Sequence, residues 1–211
     1  MKFPHAYFIN GTAYAGKSTM VKLLAERHGG IACVENYHDV LLPGLNPAEF
    51  PCLTYTRDLQ DWRDFIRRTP EDYAAWIDGC TRECTILEMR ILDELEQQGK
   101  MIFVDTNIPP EILRQVAADG HVVIMLADPE ISVRRFFERP DREKQFLYQL
   151  LMAEPDPDSA MANFRAGLQR INSPENYQMF LNAGFPVVLR DEQRTMEETL
   201  AIVEGHFQLR E

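Results

Sequence analysis

Five short apolar segments, separated by segments with helical periodicity, limit the possible folds more than any other feature of this sequence. Each segment is rich in β-branched or aromatic residues, which is typical of buried strands. The segments are AYFIN (6–10), IACV (31–34), MIFVD (101–105), HVVIMLAD (121–128) and PVVL (186–189). Strands that alternate with helices favour a parallel sheet covered on both faces. We therefore predict an α/β fold, a five-stranded parallel sheet flanked by helices, in a single domain over residues 1–211.

Charge and cysteine content narrow the classes of function. The chain has 22 Lys and Arg against 33 Asp and Glu, a net charge of −11, which disfavours binding to nucleic acid or to an anionic membrane. No apolar run approaches the roughly 20 residues of a membrane span. The four cysteines follow no zinc or CxxC spacing, although Cys80 and Cys84 are either an i,i+4 metal pair or two buried thiols. We expect a reduced, cytoplasmic protein, monomeric or homodimeric, without nucleic-acid or membrane partners.

The loop after the first predicted strand carries the strongest motif. Residues 11–18 read GTAYAGKS, which matches the phosphate-binding pattern GxxxxGK[ST] directly between a strand and a helix. Glycines at 11 and 16 permit close backbone approach, and the N–H groups at the helix N-terminus attract phosphate. Lys17 would contact the β- and γ-phosphates, Ser18 would offer a hydroxyl to Mg²⁺, and Thr19 would add a hydroxyl to the α-phosphate. The alternative is an ordinary glycine-rich turn.

Three segments give the chain a resemblance to the P-loop small-molecule kinases, in the branch with nucleoside monophosphate, shikimate, gluconate and nucleoside kinases. They are the glycine-rich loop, VDT (104–106) and LADPEISVRRFFER (126–139). The resemblance covers most of the chain. It implies the P-loop NTPase fold, ATP and Mg²⁺ as cofactors, a helical acceptor-binding region at 40–98 and a lid at about 134–165. The nucleotide-binding residues that it predicts are Gly11, Thr12, Ala13, Tyr14, Ala15, Gly16, Lys17, Ser18, Thr19 and Arg135.

The resemblance implies an ATP-dependent kinase that phosphorylates a small molecule, with a nucleoside or nucleotide as the expected acceptor. The chain has DTNIPPE after its third strand instead of the DGFPR-like string of monophosphate kinases, so another hydroxyl compound such as shikimate, a sugar or an antibiotic stays open. A non-catalytic ATP-binding regulatory module is a further alternative. A GTPase is disfavoured because LADPE stands where NKxD would read the base.

Asp105 ends the third predicted strand, where the resemblance implies a carboxylate that holds Mg²⁺ through water. Phosphoryl transfer needs such a positioned metal to neutralise developing charge. In the alternative interpretation, Asp105, Thr106 or Asn107 caps a helix that begins at Pro109-Pro110-Glu111.

An arginine cluster follows the fourth predicted strand. On a continuous helix Arg135 and Arg139 would share a face, four residues apart. The resemblance places Arg135 near the adenine and Arg139 at the phosphates, with Arg142 as a further lid residue. The alternative is a solvated face on which these arginines pair with neighbouring acids.

Glu35 and Asp39 follow the second predicted strand, where related kinases use an acidic residue to meet the acceptor hydroxyl. A carboxylate within reach of a hydroxyl can act as general base, but the spacing does not distinguish Glu35 from Asp39. His38 is interpreted as a loop residue. Aromatic residues and arginines between positions 40 and 80 either bind the acceptor, with stacked rings and an arginine-bound phosphate, or form part of the core, as both tryptophans could.

Overall fold

A computed structural model describes residues 2–138 and 142–209. It contains the five predicted strands: β1 Ala6–Gly11, β2 Ile31–Cys33, β3 Ile102–Asp105, β4 Val122–Leu126 and β5 Val187–Leu189. All four strand pairs are parallel, and the order across the sheet is β2-β3-β1-β4-β5. The prediction of a five-stranded parallel sheet flanked by helices is therefore confirmed.

Helices connect and cover the strands. They are α1 Lys17–His28, α2 Pro51–Asp58, α3 Arg63–Ile66, α4 Pro70–Glu96, α5 Pro110–Val116, α6 Pro129–Arg134, α7 Arg142–Met152, α8 Pro157–Ile171, α9 Pro174–Leu181 and α10 Met196–Phe207. The long helix α4 begins where its sequence predicts, because the Thr69 side chain accepts a hydrogen bond from the Asp72 N–H and Pro70 occupies the first helical position. Within the described ranges, no helix combines the length and the hydropathy that a bilayer crossing requires.

The pleat of the sheet sends alternate side chains to two apolar layers. Phe8 and Val104 face one layer, which α4 and α5 cover. Their neighbours Ile9 and Phe103 face the opposite layer, which α1 and α10 cover. Since successive strand residues point to opposite faces, continuous apolar strands are what a sheet buried on both sides requires.

The strand order determines where a crevice opens. The chain leaves β1 through α1 and leaves β3 through α5, and these two helices cover opposite faces of the sheet. Two neighbouring strands whose following helices cover opposite faces form a topological switch point. Ligands bind in the crevice beyond the carboxyl ends of such strands. The loops after β1 and after β3 therefore lie side by side at the open edge of the sheet.

A third apolar cluster joins the segments outside the sheet. Buried residues of α3, α4, α7 and α8 form it: Phe65, Ile66, Tyr73, Leu147, Leu151, Phe164 and Leu168. A Cβ at Gly167 of α8 would lie 3.2 Å from the Tyr73 ring of α4, so the small residue lets these helices approach closely. This cluster fixes residues 142–171 against α4.

Two segments differ from the sequence prediction. His38, interpreted as a loop residue, lies in a 3₁₀ helix over Tyr37–Gly44. The continuous helix expected through Arg135 and Arg139 is wrong, because α6 ends at Arg134 and a 3₁₀ turn follows at Phe136–Glu138. The carbonyl of Arg135 accepts the Tyr14 hydroxyl at 2.7 Å, while Phe136 and Phe137 turn toward Phe164. These contacts replace the continuation of the helix.

Candidate functional site

The glycine-rich loop (residues 11–18) connects β1 to α1, and its backbone requires glycine at two points. Gly11 has φ +128°, and a Cβ there would lie 2.0 Å from the carbonyl oxygen of Met125. Gly16 has φ +91° and immediately precedes α1. Such positive φ values are readily adopted only by glycine. The two motif glycines are therefore required by the loop conformation itself.

Two polar side chains that the motif does not specify hold this loop in place. Thr12 Oγ1 accepts a hydrogen bond from the Ala127 N–H at 2.7 Å, which ties the loop to the end of β4. The buried Asn10 side chain donates to the Ile108 carbonyl at 2.6 Å and accepts from the Gly11 N–H at 2.5 Å. Asn10 thus links the loops after β1 and β3. The sequence pattern identifies Asn10 only as the end of a strand, although a polar residue at the end of an apolar segment is a detectable signal.

Lys17, Ser18 and Asp105 come together at the crevice. The Ser18 hydroxyl donates to Asp105 Oδ2 at 2.5 Å, and Lys17 Nζ lies 3.7 Å from Asp105 Oδ1. Lys17 Nζ also donates to the Thr12 carbonyl at 3.1 Å. Burial raises the pKa of Asp105, and the charge of Lys17 and the Ser18 hydrogen bond oppose that rise. A cation at this carboxylate would offset the cost of burying its charge.

The alternative interpretation, in which Asp105, Thr106 or Asn107 caps α5, is wrong. The residue before α5 is Pro109, and no side chain caps the helix. Asp105 instead bonds Ser18, and the Thr106 hydroxyl donates to Glu88 at 2.6 Å. Neither side chain therefore caps α5; Asp105 faces the crevice, and Thr106 joins the loop after β3 to α4.

A cavity of about 250 Å³ lies between the glycine-rich loop and β3, and is called here the loop cavity. It opens at the N-terminus of α1, where helix N–H groups favour an anion. Six of the ten predicted nucleotide-binding residues line it: Ala13, Tyr14, Gly16, Lys17, Ser18 and Thr19. Glu35, predicted to meet the acceptor, and Asp105, predicted to hold the metal, complete the lining. The predicted residues Gly11, Thr12, Ala15 and Arg135 lie outside it.

A second cavity, of about 270 Å³, adjoins the loop on the side of β5 and α10. Ala15, Gly16 and Thr19 line it together with Arg190 and Asp191. Arg190 Nη1 donates to the Tyr14 carbonyl, which joins the loop to the segment after β5. The two cavities therefore share one wall at Gly16 and Thr19, as two parts of one elongated ligand site would.

A third cavity, of about 520 Å³, is called here the aromatic cavity because Trp62, Phe65, Tyr73, Trp76, Phe136 and Phe146 line it. Asp39 and Asn107 line it, whereas Glu35 lines the loop cavity. Partial burial raises the pKa of Asp39, and the adjacent His38 opposes the rise. The ambiguity between the two acids thus has a geometric answer: Asp39 faces the larger cavity and Glu35 faces the glycine-rich loop.

A buried carboxylate that sequence reasoning missed lies behind the aromatic cavity. Glu88 of α4 is fully buried and accepts hydrogen bonds from Thr106 Oγ1 at 2.6 Å, the Asn107 N–H at 3.3 Å and the Tyr37 hydroxyl at 3.4 Å. It fastens α4 to the loop after β3. A glutamate inside the apolar stripe of a helix is the signal that could have revealed it.

His38, interpreted from the sequence as a loop residue, is 2% exposed beside this carboxylate. Its Nδ1 lies 3.6 Å from Glu88 Oε1, and its Nε2 lies 3.1 Å from Cys84 Sγ. Within residues 2–138 and 142–209, Nδ1 is the one buried side-chain nitrogen or oxygen without a hydrogen-bond partner. The ring is therefore held against α4 through the contact of its Nε2 with Cys84.

The cysteines do not form a reactive or metal-binding centre in the part of the chain that the structure describes. All four are free thiols, and no group of three or more His, Cys, Asp or Glu residues is arranged there to hold a metal ion. Burial raises the pKa of Cys80 to about 12, and burial near Glu88 raises the pKa of Cys84 further. Both thiols are therefore protonated at neutral pH.

The arginine cluster is only partly described. Arg135 lies at the end of α6 with its guanidinium 3.7 Å from Glu138, and it does not line the loop cavity. Arg142 begins α7. Arg139 lies outside the described residues, so its predicted contact with phosphate stays a prediction.

No protein-family model matches the chain, and no curated protein shows significant similarity to it. The fold and the geometry of the three cavities are therefore the basis for assigning a function.

Proposed function

We propose that this protein is a Mg²⁺- and ATP-dependent kinase of the P-loop class that phosphorylates a hydroxyl group of a small molecule. The observation that carries the proposal is the contact of Lys17 and Ser18 with Asp105 across the crevice between β1 and β3. A lysine, a hydroxyl and a buried carboxylate at a helix N-terminus form a set suited to the phosphates and metal of a nucleotide.

The residues at the crevice fit Mg²⁺ chemically. Mg²⁺ prefers oxygen ligands and is bound in such sites by one or two protein groups together with substrate phosphates. Ser18 Oγ and an oxygen of the Asp105 carboxylate lie 2.5 Å apart, and both could coordinate a metal ion. A cation there would offset the cost of burying the charge of Asp105. When bound, the metal would neutralise charge on the transferring phosphoryl group.

The two cavities at the loop support an extended nucleotide. In the proposed complex, triphosphate occupies the loop cavity and the base occupies the cavity beside Arg190 and Met196. Backbone N–H groups and Lys17 hold the phosphates. We include in this proposal that the loop backbone contacts the nucleotide at Thr12, Ala13, Tyr14 and Ala15.

The aromatic cavity supports an acceptor site beside the phosphates. The acceptor oxygen attacks the γ-phosphorus, the bond between that phosphorus and the ADP oxygen breaks, and the hydroxyl proton passes to Asp39 or to water. Asp39 orients the hydroxyl and accepts its hydrogen bond. Lys17 stabilises the charge that develops on the transferring group.

ADP release from Mg·ATP, measured with and without candidate acceptors, tests the proposal. The acceptors are nucleosides, nucleoside monophosphates, sugars and shikimate. Lys17→Ala should abolish acceptor-dependent release, whereas Lys22→Ala, an exposed lysine on the same helix, should retain it. Nucleotide binding without turnover on any acceptor would favour a regulatory module, and failure to bind ATP would overturn the proposal.

A further inference from the structure

The lining of the aromatic cavity carries an inference about the acceptor that rests on the proposed function and goes beyond it. Six aromatic side chains line this cavity: Trp62, Phe65, Tyr73, Trp76, Phe136 and Phe146. Its volume of about 520 Å³ falls in the range of small-molecule sites, roughly 300–1,000 Å³. The chemistry of this lining selects among the acceptors that a kinase of this class could phosphorylate.

The aromatic rings are fixed by contacts with one another. Phe65 meets Trp76 edge to face with ring centroids 5.1 Å apart, and Trp62 meets Phe146 in the same way at 5.5 Å. The Trp76 indole N–H donates to the Cys52 carbonyl at 2.9 Å. Neither tryptophan belongs to the fully buried core, and both present surface to the cavity. A rigid aromatic wall of this kind suits a planar ring.

The arginines near this wall already have partners and do not line the cavity. Arg67 makes two hydrogen bonds to Glu154, and Arg57 bonds Asp58 and two backbone carbonyls. Arg63 lies 3.7 Å from Asp61. The Arg68 guanidinium lies 4.1 Å from the Tyr55 ring centroid, and 5.4 Å and 5.9 Å from the ring centroids of Trp76 and Phe65 in this wall. None of these four side chains lines the aromatic cavity. The arginine-bound phosphate considered from the sequence therefore has no arginine of this segment to hold it.

The charged groups that do line the cavity disfavour an anion. Among its described lining residues, Lys144 is the one lysine or arginine, and it lies 5.3 Å from the Phe136 ring centroid. Asp39 and Glu143 line the same cavity, so carboxylates outnumber that cation. A phosphate placed among them would lose its hydration without a matching guanidinium, which is costly.

Polar residues that follow β2 and β3 along the chain also line this cavity. They are Asn36, Asp39 and Asn107, and the Asn107 side chain donates to Glu88 at 3.3 Å. We propose that the acceptor is an uncharged compound with a planar aromatic group and a hydroxyl. The aromatic group packs against Trp62 and Trp76, and the hydroxyl reaches Asp39. Phosphorylated compounds and non-aromatic polyols are excluded from this site.

Intrinsic fluorescence reports binding directly, because both tryptophans of the chain line this cavity. The protein is titrated with uridine, thymidine and phenyl glucoside. The matched comparisons are uridine and thymidine 5′-monophosphates, ribose, glucose and shikimate. We expect saturable changes with the aromatic, uncharged compounds, and dissociation constants about tenfold or more lower than those of the comparison compounds. Trp62→Leu should weaken aromatic binding by a similar factor, whereas the neighbouring exposed Arg63→Ala should not.

Tighter or equal binding of the monophosphates, ribose, glucose or shikimate would overturn the inference, as would the absence of a saturable change with every aromatic compound. The same titrations with Lys17→Ala separate this inference from the proposed function, since binding of the acceptor does not require Lys17. Aromatic binding without any ADP release would leave the cavity assignment intact and contradict the kinase. ADP release with only phosphorylated or non-aromatic acceptors would support the kinase and overturn the assignment.

Discussion

The Ser18 hydroxyl donates a 2.5 Å hydrogen bond to the carboxylate of Asp105, a residue 87 positions further along the chain. The contact exists because β1 and β3 are parallel neighbours in which Ile9 pairs with Asp105. The first turn of α1 and the end of β3 are thereby brought to one point. The same pairing sets Lys17 beside a carboxylate whose pKa is raised by burial.

Asp105→Asn is expected to reduce ATP turnover without destabilising the metal-free protein at neutral pH. Because the native pKa of Asp105 lies above its unfolded value of about 3.9, the native state binds the proton more readily. The stability contributed by Asp105 is therefore greatest at low pH and is lost as the pH rises through the native pKa. Asn resembles the protonated acid and removes this loss. We expect turnover to fall about 10- to 100-fold.

Urea unfolding of wild type and Asp105→Asn at acidic and neutral pH, without metal, measures the first effect. The free energy of unfolding of the variant should increase relative to that of wild type as the pH rises. If the free energy of unfolding of the variant instead decreased relative to wild type with rising pH, the ionised carboxylate would be stabilising the native protein. ADP release as a function of Mg²⁺ concentration measures the second effect.

The separation of Glu35 from Asp39 predicts different kinetic defects. Asp39→Asn should lower kcat with the acceptor by about 100-fold or more, because a general base contributes about 10²–10⁴, and should leave ATP affinity unchanged. Glu35→Gln should instead alter the dependence on ATP and Mg²⁺, since Glu35 borders the loop cavity. Steady-state kinetics with each substrate varied in turn distinguish the two outcomes. Identical defects in the two variants would contradict the assignment of the acids to separate cavities.

Glu88→Ala is expected to destabilise the fold by about 3 kcal/mol or more, since it leaves buried donors such as Thr106 Oγ1 without an acceptor. Glu88→Gln retains one acceptor oxygen and should cost less. Glu94→Ala on the exposed side of the same helix should change stability by about 0.5 kcal/mol or less. Equilibrium denaturation measures all three, and a Glu88→Ala value near that of Glu94→Ala would contradict the network.

Gly11→Ala is expected to destabilise by about 3 kcal/mol or more, because the new Cβ would meet the Met125 carbonyl oxygen at 2.0 Å and φ is +128°. Gly205 provides the matched control, since it is exposed within α10 and nothing lies within 4 Å of its Cβ position. Gly205→Ala should stabilise by about 0.5–1 kcal/mol through helix propensity. Thermal unfolding of the two variants tests this contrast. Equal changes in melting temperature would contradict the requirement for glycine at position 11.

Much of the fold could be predicted because it depends on local patterns. The apolar strands and the start of α4 at Thr69-Pro70 follow from side-chain periodicity and capping, which act over a few residues. The end of α6 at Arg134 could not be predicted in this way. It depends on Tyr14, which lies far away in the chain and bonds the Arg135 carbonyl.

The candidate site also combines features that depend on local sequence with features that depend on long-range contacts. The glycine-rich loop, with Lys17 and Ser18 at the first turn of a helix, can be identified from the sequence, because the motif is continuous and its backbone needs glycine. The folded chain is needed to see that Ser18 bonds Asp105, that Glu35 and Asp39 face different cavities, and that Glu88 lies buried behind them. These relations depend on strand order and helix packing, which bring distant residues together, and local periodicity carries no information about which distant residues meet.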